Sequence, residues 1–235
     1  MEIEKQVLSA NGFSEFNPMQ KKALDAGLFD KSVVISAPTA SGKTIVAELC
    51  TLNSVLNNRK KVVYTCPLRA LASEHYKDLK KKYSSLGIKM AIATGDFDSS
   101  SAYLQNYDVI FCTNEKLDSL LRHRASWLQS IGLLIVDEIH EIDSDRGPTI
   151  EMVITKLRHS NPQLQFLCLS ATVPNAKELS EWLNAKLVES DFRPVKLIEG
   201  VFFDGIIDFG STNESIEHKK DPLESIVKDT LKKQK

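Results

Sequence analysis

Six continuous apolar runs recur along this chain, at 32–37, 61–66, 88–93, 108–112, 132–137 and 165–170, with helix-length segments between them. Short runs without polar alternation read as strands buried on both faces. Such strands, separated by helices, form βαβ crossovers, which are right-handed almost without exception. Helices are expected at 43–57, 69–85, 114–122, 148–158 and 175–184. Residues 1–31 read as a short helix, a turn and a second helix, Pro18–Ala26. The fold class is therefore α/β, a mainly parallel sheet with helices on both faces. A chain of 235 residues, 42% of them hydrophobic, can bury the core this needs.

The first run leads into Ala37-Pro38-Thr39-Ala40-Ser41-Gly42-Lys43-Thr44, and Ile45-Val46-Ala47-Glu48-Leu49 then opens a helix. Strand, tight loop, Gly-Lys-Thr and helix is the pattern of a phosphate-binding P-loop. Successive N–H groups and a helix N-terminus cradle anionic oxygens. Gly42 lets backbone approach phosphate without a Cβ in the way. Lys43 offers a charge to the outer phosphates, and Thr44 a hydroxyl to the accompanying magnesium ion. Ala37 stands where a glycine is usual. A P-loop after the first core strand is the arrangement of a RecA-like P-loop NTPase domain.

Binding phosphate does not activate water. A hydrolase also needs one acid for magnesium and a second to orient the nucleophile. The run Leu133-Leu134-Ile135-Val136 ends in Asp137-Glu138-Ile139-His140. Acids at the carboxyl end of a central strand lie where ligands of open α/β sheets bind. Asp137 is the candidate for magnesium and Glu138 for the attacking water. A third run, Leu164–Leu169, ends in Ser170-Ala171-Thr172. Hydroxyls there can relay hydrogen bonds, although the same residues also suit a simple turn or helix cap.

In order, these motifs resemble the DExH-box helicases of superfamily two. Phe16-Asn17-Pro18-Met19-Gln20 is similar to the adenine-reading Q motif, 37–44 to motif one, and Pro67-Leu68-Arg69-Ala70-Leu71-Ala72 to motif Ia. Thr94-Gly95-Asp96 and Thr113-Asn114-Glu115-Lys116 resemble the next two nucleic-acid motifs; 137–140 and 170–172 resemble motifs two and three. Arg124-Ala125-Ser126-Trp127, Asp143-Ser144-Asp145-Arg146-Gly147, Glu181-Trp182-Leu183-Asn184-Ala185 and Phe192-Arg193-Pro194-Val195 narrow the resemblance. They point to the superkiller-like branch and, within it, the archaeal Hjm-type (Holliday-junction-migration) DNA repair helicases. The resemblance implies ATP and Mg2+ as cofactors. It implies that Gln20 reads the adenine edge, with Phe13 or Phe16 near the base unless that ring only plugs the core. Lys43, Asp137 and Glu138 would be catalytic, and Ala37, Pro38, Thr39, Ala40, Ser41, Gly42 and Thr44 would complete the nucleotide site. His140, Ser170, Ala171 and Thr172 would couple it to nucleic acid, held by Pro67, Arg69, Thr94, Gly95, Thr113, Asn114 and Lys116. Relative to this pattern, 143–147 is shorter by about one residue. Arg146, and the lack of glycine and glutamate at calcium-loop spacing, argue against reading it as an EF-hand.

The formal net charge is −1, so any grip on nucleic acid must come from a local surface. Lys77, Lys80, Lys81 and Lys82 form one basic run, read as a solvated helix face; Arg122, His123 and Arg124 form another beside the 113–116 motif. Contact with phosphate and sugar, without base readout, suits a translocating motor. Cys50, Cys66, Cys112 and Cys168 show no zinc spacing and read as reduced core residues. No stretch is long and apolar enough for a membrane span, and the charged start lacks a signal region, so the cytoplasm is the expected compartment.

The expected division is a Q-motif segment at 1–31, a RecA-like ATP-binding domain at 32–194, and a tail at 195–235. In the tail, Val195–Glu199 and Val201–Phe209 could form an antiparallel pair, 211–221 reads as linker, and Pro222–Lys233 as a helix. No Gln-x-x-Gly-Arg pattern or second strand–helix series follows Thr172. The expectation is therefore an N-terminal domain that lacks its second RecA-like partner and turns over poorly alone. The leading expectation is an ATP-dependent DNA helicase motor acting on single-stranded or branched DNA in repair or fork processing; the family resemblance implies three-prime to five-prime movement. Two alternatives stand beside it: an RNA helicase of the same superfamily, and a nucleotide-gated module that clamps a strand without productive turnover. A P-loop kinase or metabolic ATPase is weakened by the ordered motifs beyond the P-loop.

Overall fold

The computed structural model describes residues 2–93, 101–195, 200–203, 206–208 and 213–215. Thr94, Gly95 and Asp96, residues 196–199 of the first tail run, most of 211–221 and the helix expected at Pro222–Lys233 lie outside the described residues. The chain divides into two units, 1–192 and 193–235.

Seven parallel strands form the sheet of the first unit: β1 (Val33–Ser36), β2 (Lys61–Cys66), β3 (Met90–Ala93), β4 (Val109–Thr113), β5 (Ile131–Val136), β6 (Gln165–Ser170) and β7 (Lys186–Glu189). Their order is β3-β4-β2-β5-β6-β1-β7. β1, β4 and β5 are buried along their whole length, as both-faces-covered strands must be. Helices α1 (Glu2–Asn11), α2 (Pro18–Asp25), α3 (Lys43–Leu52), α4 (Arg69–Tyr83), α5 (Asn114–Arg122), α6 (Gly147–Ser160) and α7 (Ala176–Leu183) complete the unit. Two apolar clusters divide its core. One joins α1, α2, α3 and α4 to residues such as Ile35, Tyr64 and Ile135; the other joins α5, α6 and α7 to Val34, Leu134 and Cys168. Alternate strand residues thus feed opposite layers.

Four features depart from the sequence expectation. The helix expected at 43–57 ends at Leu52, and 53–57 continue as a wider π turn closed by Asn58 N–H donating to the Asn53 carbonyl. β7 is an edge strand beside β1 that no apolar run announced. In the second unit, β8 (Val201–Phe203) pairs antiparallel with β9 (Ile206–Asp208), so the pairing falls within the second apolar run. β10 (Asn213–Ser215) adds to β9 in a stretch that reads as linker, because a ladder of backbone bonds leaves no mark in so polar a sequence.

Candidate functional site

β1 ends in the P-loop. Ala37 N–H donates to the Ser170 carbonyl at 3.2 Å, extending the β1–β6 ladder by one residue. Its φ is not positive, which explains why alanine serves where a glycine is usual. Two residues further along the loop are left-handed: Ala40 at φ 64° and Gly42 at φ 88°. Lys43 Nζ donates back to the carbonyls of Ala37 at 2.8 Å and Pro38 at 3.1 Å, so the charge stands across the loop it would share with a phosphate. The Ser41 hydroxyl is buried and has no hydrogen-bond partner. A buried hydroxyl of this kind is met by a ligand or a water, which suits a cradle for phosphate oxygens.

The start of α2 braces this loop. Asn17 and Gln20 form a reciprocal capping box: Gln20 N–H donates to Asn17 Oδ1, and Asn17 N–H donates to Gln20 Oε1, both at 3.0 Å. Their amide nitrogens reach across to the P-loop. Asn17 Nδ2 donates to the Ser41 carbonyl at 2.8 Å and Gln20 Nε2 to the Gly42 carbonyl at 3.2 Å. Gln20 is thus engaged at both ends of its amide, as a brace. Phe16 is packed into the core, whereas Phe13 is 55% exposed.

β5 ends in the acids. Asp137 N–H donates to the Thr65 carbonyl at 2.9 Å, extending the β2–β5 ladder. One oxygen of the Asp137 side chain accepts the Glu138 N–H at 3.1 Å. The other lies 3.0 Å from His75 Nε2 and 3.4 Å from the Tyr64 hydroxyl. Burial, with Asp137 adding to it, holds the Tyr64 phenol well above its ordinary range, so it stays a donor. A carboxylate and the Thr44 hydroxyl are oxygen ligands of the kind magnesium takes, so the donor set fits that ion. Glu138 is left-handed at φ 51°, a strained backbone of the sort that clusters at functional sites.

His140 connects these acids to the end of β6. Its Nδ1 lies 3.3 Å from Glu138 Oε2 and 3.4 Å from the Ala171 N–H. One nitrogen cannot accept from the amide and donate to the carboxylate together; the tautomer decides which contact is made. Ala171 is also tied to β1, since the Ser36 hydroxyl donates to its carbonyl at 3.4 Å. The Ser170 hydroxyl is buried without a partner, and Thr172 is exposed.

The residues expected to meet nucleic acid are not all on the surface. Arg69 is exposed in the first turn of α4. Pro67 is buried, and its carbonyl accepts a hydrogen bond from Arg146 Nη1 at 2.5 Å. Thr113, Asn114 and Lys116 are buried, with the Thr113 hydroxyl capping α5 through the Lys116 N–H at 3.3 Å. Arg122, His123 and Arg124 are exposed, whereas Lys82 turns inward to Glu48 at 2.7 Å. Sequence reasoning missed His75, Tyr64 and Arg146 as neighbours of the site. His75 did carry a signal: it falls on the buried α4 stripe with Ala72, Leu79 and Tyr83.

A family model for the DEAD/DEAH box helicase matches residues 17–179, spanning the P-loop, the acids and the Ser170–Thr172 strand end. The chain belongs to the DEAD/DEAH box helicase family. It is 46% identical over 233 residues to a protein of Pyrococcus horikoshii named ATP-dependent DNA helicase Hel308, covering 98% of this chain and 32% of that one. A protein of the same name from Caldivirga maquilingensis is 46% identical over 228 residues, covering 96% and 30%. The chain therefore spans about a third of the length of these relatives. Among solved structures it is similar to the DUF1998 helicase MrfA, with a TM-score of 0.68 and 26% identity over 80% of this chain and 32% of that one. The same helicase bound to DNA gives a TM-score of 0.68 at 24% identity over 81% of this chain and 30% of that one, a likeness of fold. The helicase family's RecA-like α/β fold is thus the fold of the first unit. Among the described residues, no helix is long and apolar enough to cross a membrane.

Proposed function

We propose that this chain is the ATP-binding RecA-like domain of an ATP-dependent DNA helicase that moves on single-stranded or branched DNA, three-prime to five-prime, in repair or fork processing. The observation that carries the reading is the sheet order. β6 lies between β1, which ends in the P-loop, and β5, which ends in Asp137–Glu138, so phosphate cradle and acids flank one strand end.

In this reading the loop 37–44 takes the triphosphate, with its amides and Lys43 on the outer phosphates. Thr44 and Asp137 are the residues that would hold magnesium, which would offset negative charge on the phosphates. Glu138 orients the attacking water and takes its proton. Gln20 is proposed to read the adenine edge as well as to brace the loop, and Phe13, exposed ahead of the capping box, is the aromatic proposed to meet the base. Glu138 and Ala171 compete for His140 Nδ1, which gives the coupling role of His140 and Ser170–Thr172 a concrete form. A change at Glu138 releases or recruits the 170–172 end. Pro67 and Arg69, with Thr94, Gly95, Thr113, Asn114 and Lys116, are proposed to form the strand-binding side. The burial of Thr113, Asn114 and Lys116 favours backbone or capping roles for them, and Arg69 is the exposed cation for phosphate. A second RecA-like unit is proposed to supply arginines to the transferring phosphate. The proposed compartment is the cytoplasm.

DNA rather than RNA is favoured by the relatives that match 96–98% of this chain, which are named as DNA helicases. The test is nucleotide binding and ATP turnover by the 235-residue chain, with no strand and with matched DNA and RNA strands at fixed salt. Magnesium-dependent ATP binding that Lys43→Ala abolishes, slow turnover and tighter retention of DNA are expected. Equal binding by parent and Lys43→Ala removes the nucleotide reading; tighter retention of RNA removes the DNA assignment.

A further inference from the structure

Behind the Asp137 carboxylate lies a second set of ligand atoms. Cys66 Sγ, a ring nitrogen of His75 and a carboxylate oxygen of Asp137 lie within 4.8 Å of one another. The fold dictates the grouping. Tyr64 pairs with Ile135 and Thr65 with Val136 in the β2–β5 ladder, so Cys66 and Asp137 leave adjacent strand ends on one face. α4 covers that face and presents His75, whose ring sits 4.9 Å from the Tyr64 ring. Cys66 is fully buried, and the side chains of His75 and Asp137 keep only 15% and 12% exposure.

We propose that Cys66, His75 and Asp137 form a binding site for a thiophilic divalent cation, zinc in the first place, and that its occupancy takes Asp137 away from the nucleotide. The competition, but not the metal site, rests on the function proposed above. Sulfur, imidazole nitrogen and one carboxylate oxygen match a three-ligand zinc site with an open fourth position. In a tetrahedral site, bonds of about 2.0–2.3 Å place ligand atoms about 3.3–3.7 Å apart. The His75–Asp137 contact, at 3.0 Å, lies a few tenths of an ångström inside that spacing, so these two groups part slightly on binding while the three ligand atoms, all within 4.8 Å of one another, close around the ion. Magnesium and calcium, which seek oxygen ligands, gain little from such a set. On binding, the S–H proton passes to solvent and a sulfur–metal bond forms. No oxidant or reductant takes part.

Cobalt(II), a spectroscopic stand-in for zinc, tests the site in the reduced 235-residue chain. One equivalent is expected to bind with a near-ultraviolet thiolate-to-cobalt charge-transfer band, and zinc to bleach it. Cys66→Ser should abolish the band, and His75→Gln should weaken binding more than about 100-fold, beyond the effect of losing an outer-shell partner. Circular dichroism of each variant reports folding, and either variant suffices if the other does not fold. No charge-transfer band in the parent, or one that survives in folded Cys66→Ser, overturns the site. Lys43→Ala should lose ATP but keep cobalt. Zinc should reduce magnesium-dependent ATP binding in the parent and not in Cys66→Ser. If cobalt binds as described while zinc leaves ATP binding unchanged, the site stands and the assignment of Asp137 to magnesium fails.

Discussion

Gly42→Ala separates two reasons for a glycine in the P-loop. The residue sits at φ 88°, where a Cβ costs about 1–2 kcal/mol. Its Cβ would lie 2.5 Å from Gln20 Nε2 and 3.1 Å from Asn17 Nδ2. Both are ends of side chains, so the collision is relieved by movement. Gln20 Nε2 must retreat by about 1 Å, which removes its bond to the Gly42 carbonyl and costs a further 0.5–1.5 kcal/mol or so. The expected loss is about 2–3 kcal/mol, or about 5–10 °C in Tm for a unit of this size. Urea unfolding followed by circular dichroism should show a lower midpoint with an unchanged slope. Gln20→Ala removes the collision but not the backbone strain. In the double variant, about 1 kcal/mol of the Gly42→Ala cost should therefore disappear as a coupling term. Strict additivity of the two substitutions, or a Gly42→Ala loss below about 0.5 kcal/mol, refutes the brace between α2 and the P-loop.

Glu138→Gln should keep ATP binding within about twofold and reduce turnover at least about 100-fold in a steady-state phosphate-release assay; wild-type turnover removes Glu138 from water orientation. Gly147→Ala should destabilise the fold by about 2–4 kcal/mol in the same urea assay, because its Cβ would stand 1.9 Å from the Ile142 carbonyl oxygen and the backbone carrying Arg146 must shift. A neutral substitution there contradicts the close approach. Arg69→Ala should weaken single-strand binding about equally across sequences and lower the salt slope by about one. A changed base preference with an unchanged slope counts against a phosphate contact.

The β strands from 33 to 170 were legible because burial on both faces writes each as a continuous apolar run. Their ends fall within about two residues of the expectation. β7 was not legible. Lys186-Leu187-Val188-Glu189 is four residues at a sheet edge with charges at both ends, and β1 supplies its hydrogen bonds. The P-loop and the acids were placed by motif, but the partners of each side chain were not. Gln20 was expected to read adenine, and nothing in its identity says that both ends of its amide meet the protein. Thr113, Asn114 and Lys116 were expected at a strand-binding surface. Their burial follows from how the first turn of α5 packs, which the motif does not encode. His75 sat on an apolar helical stripe where a histidine is most simply a core residue, and only the β2–β5 register reveals Asp137 as its neighbour.

The parallel strand order also explains why the candidate residues lie together at one end of the strands. In parallel strands every carboxyl end points the same way, so β1, β2, β5 and β6 deliver the P-loop, Cys66–Pro67, Asp137–Glu138 and Ser170–Thr172 to a common rim. The ties between these loops are few and polar. Ser36 holds the Ala171 carbonyl, the Ala171 amide shares His140 with Glu138, Arg146 holds the Pro67 carbonyl, and Asn175 Nδ2 donates to Asp143 at 2.8 Å. Each bond is worth only about 1–3 kcal/mol, far less than the apolar sheet beneath. A change in charge at the acids can therefore rearrange the rim without disturbing the core. In the coupling proposed above, the His140 tautomer makes that choice, because its Nδ1 serves either Glu138 or the strand end beside the P-loop and cannot serve both.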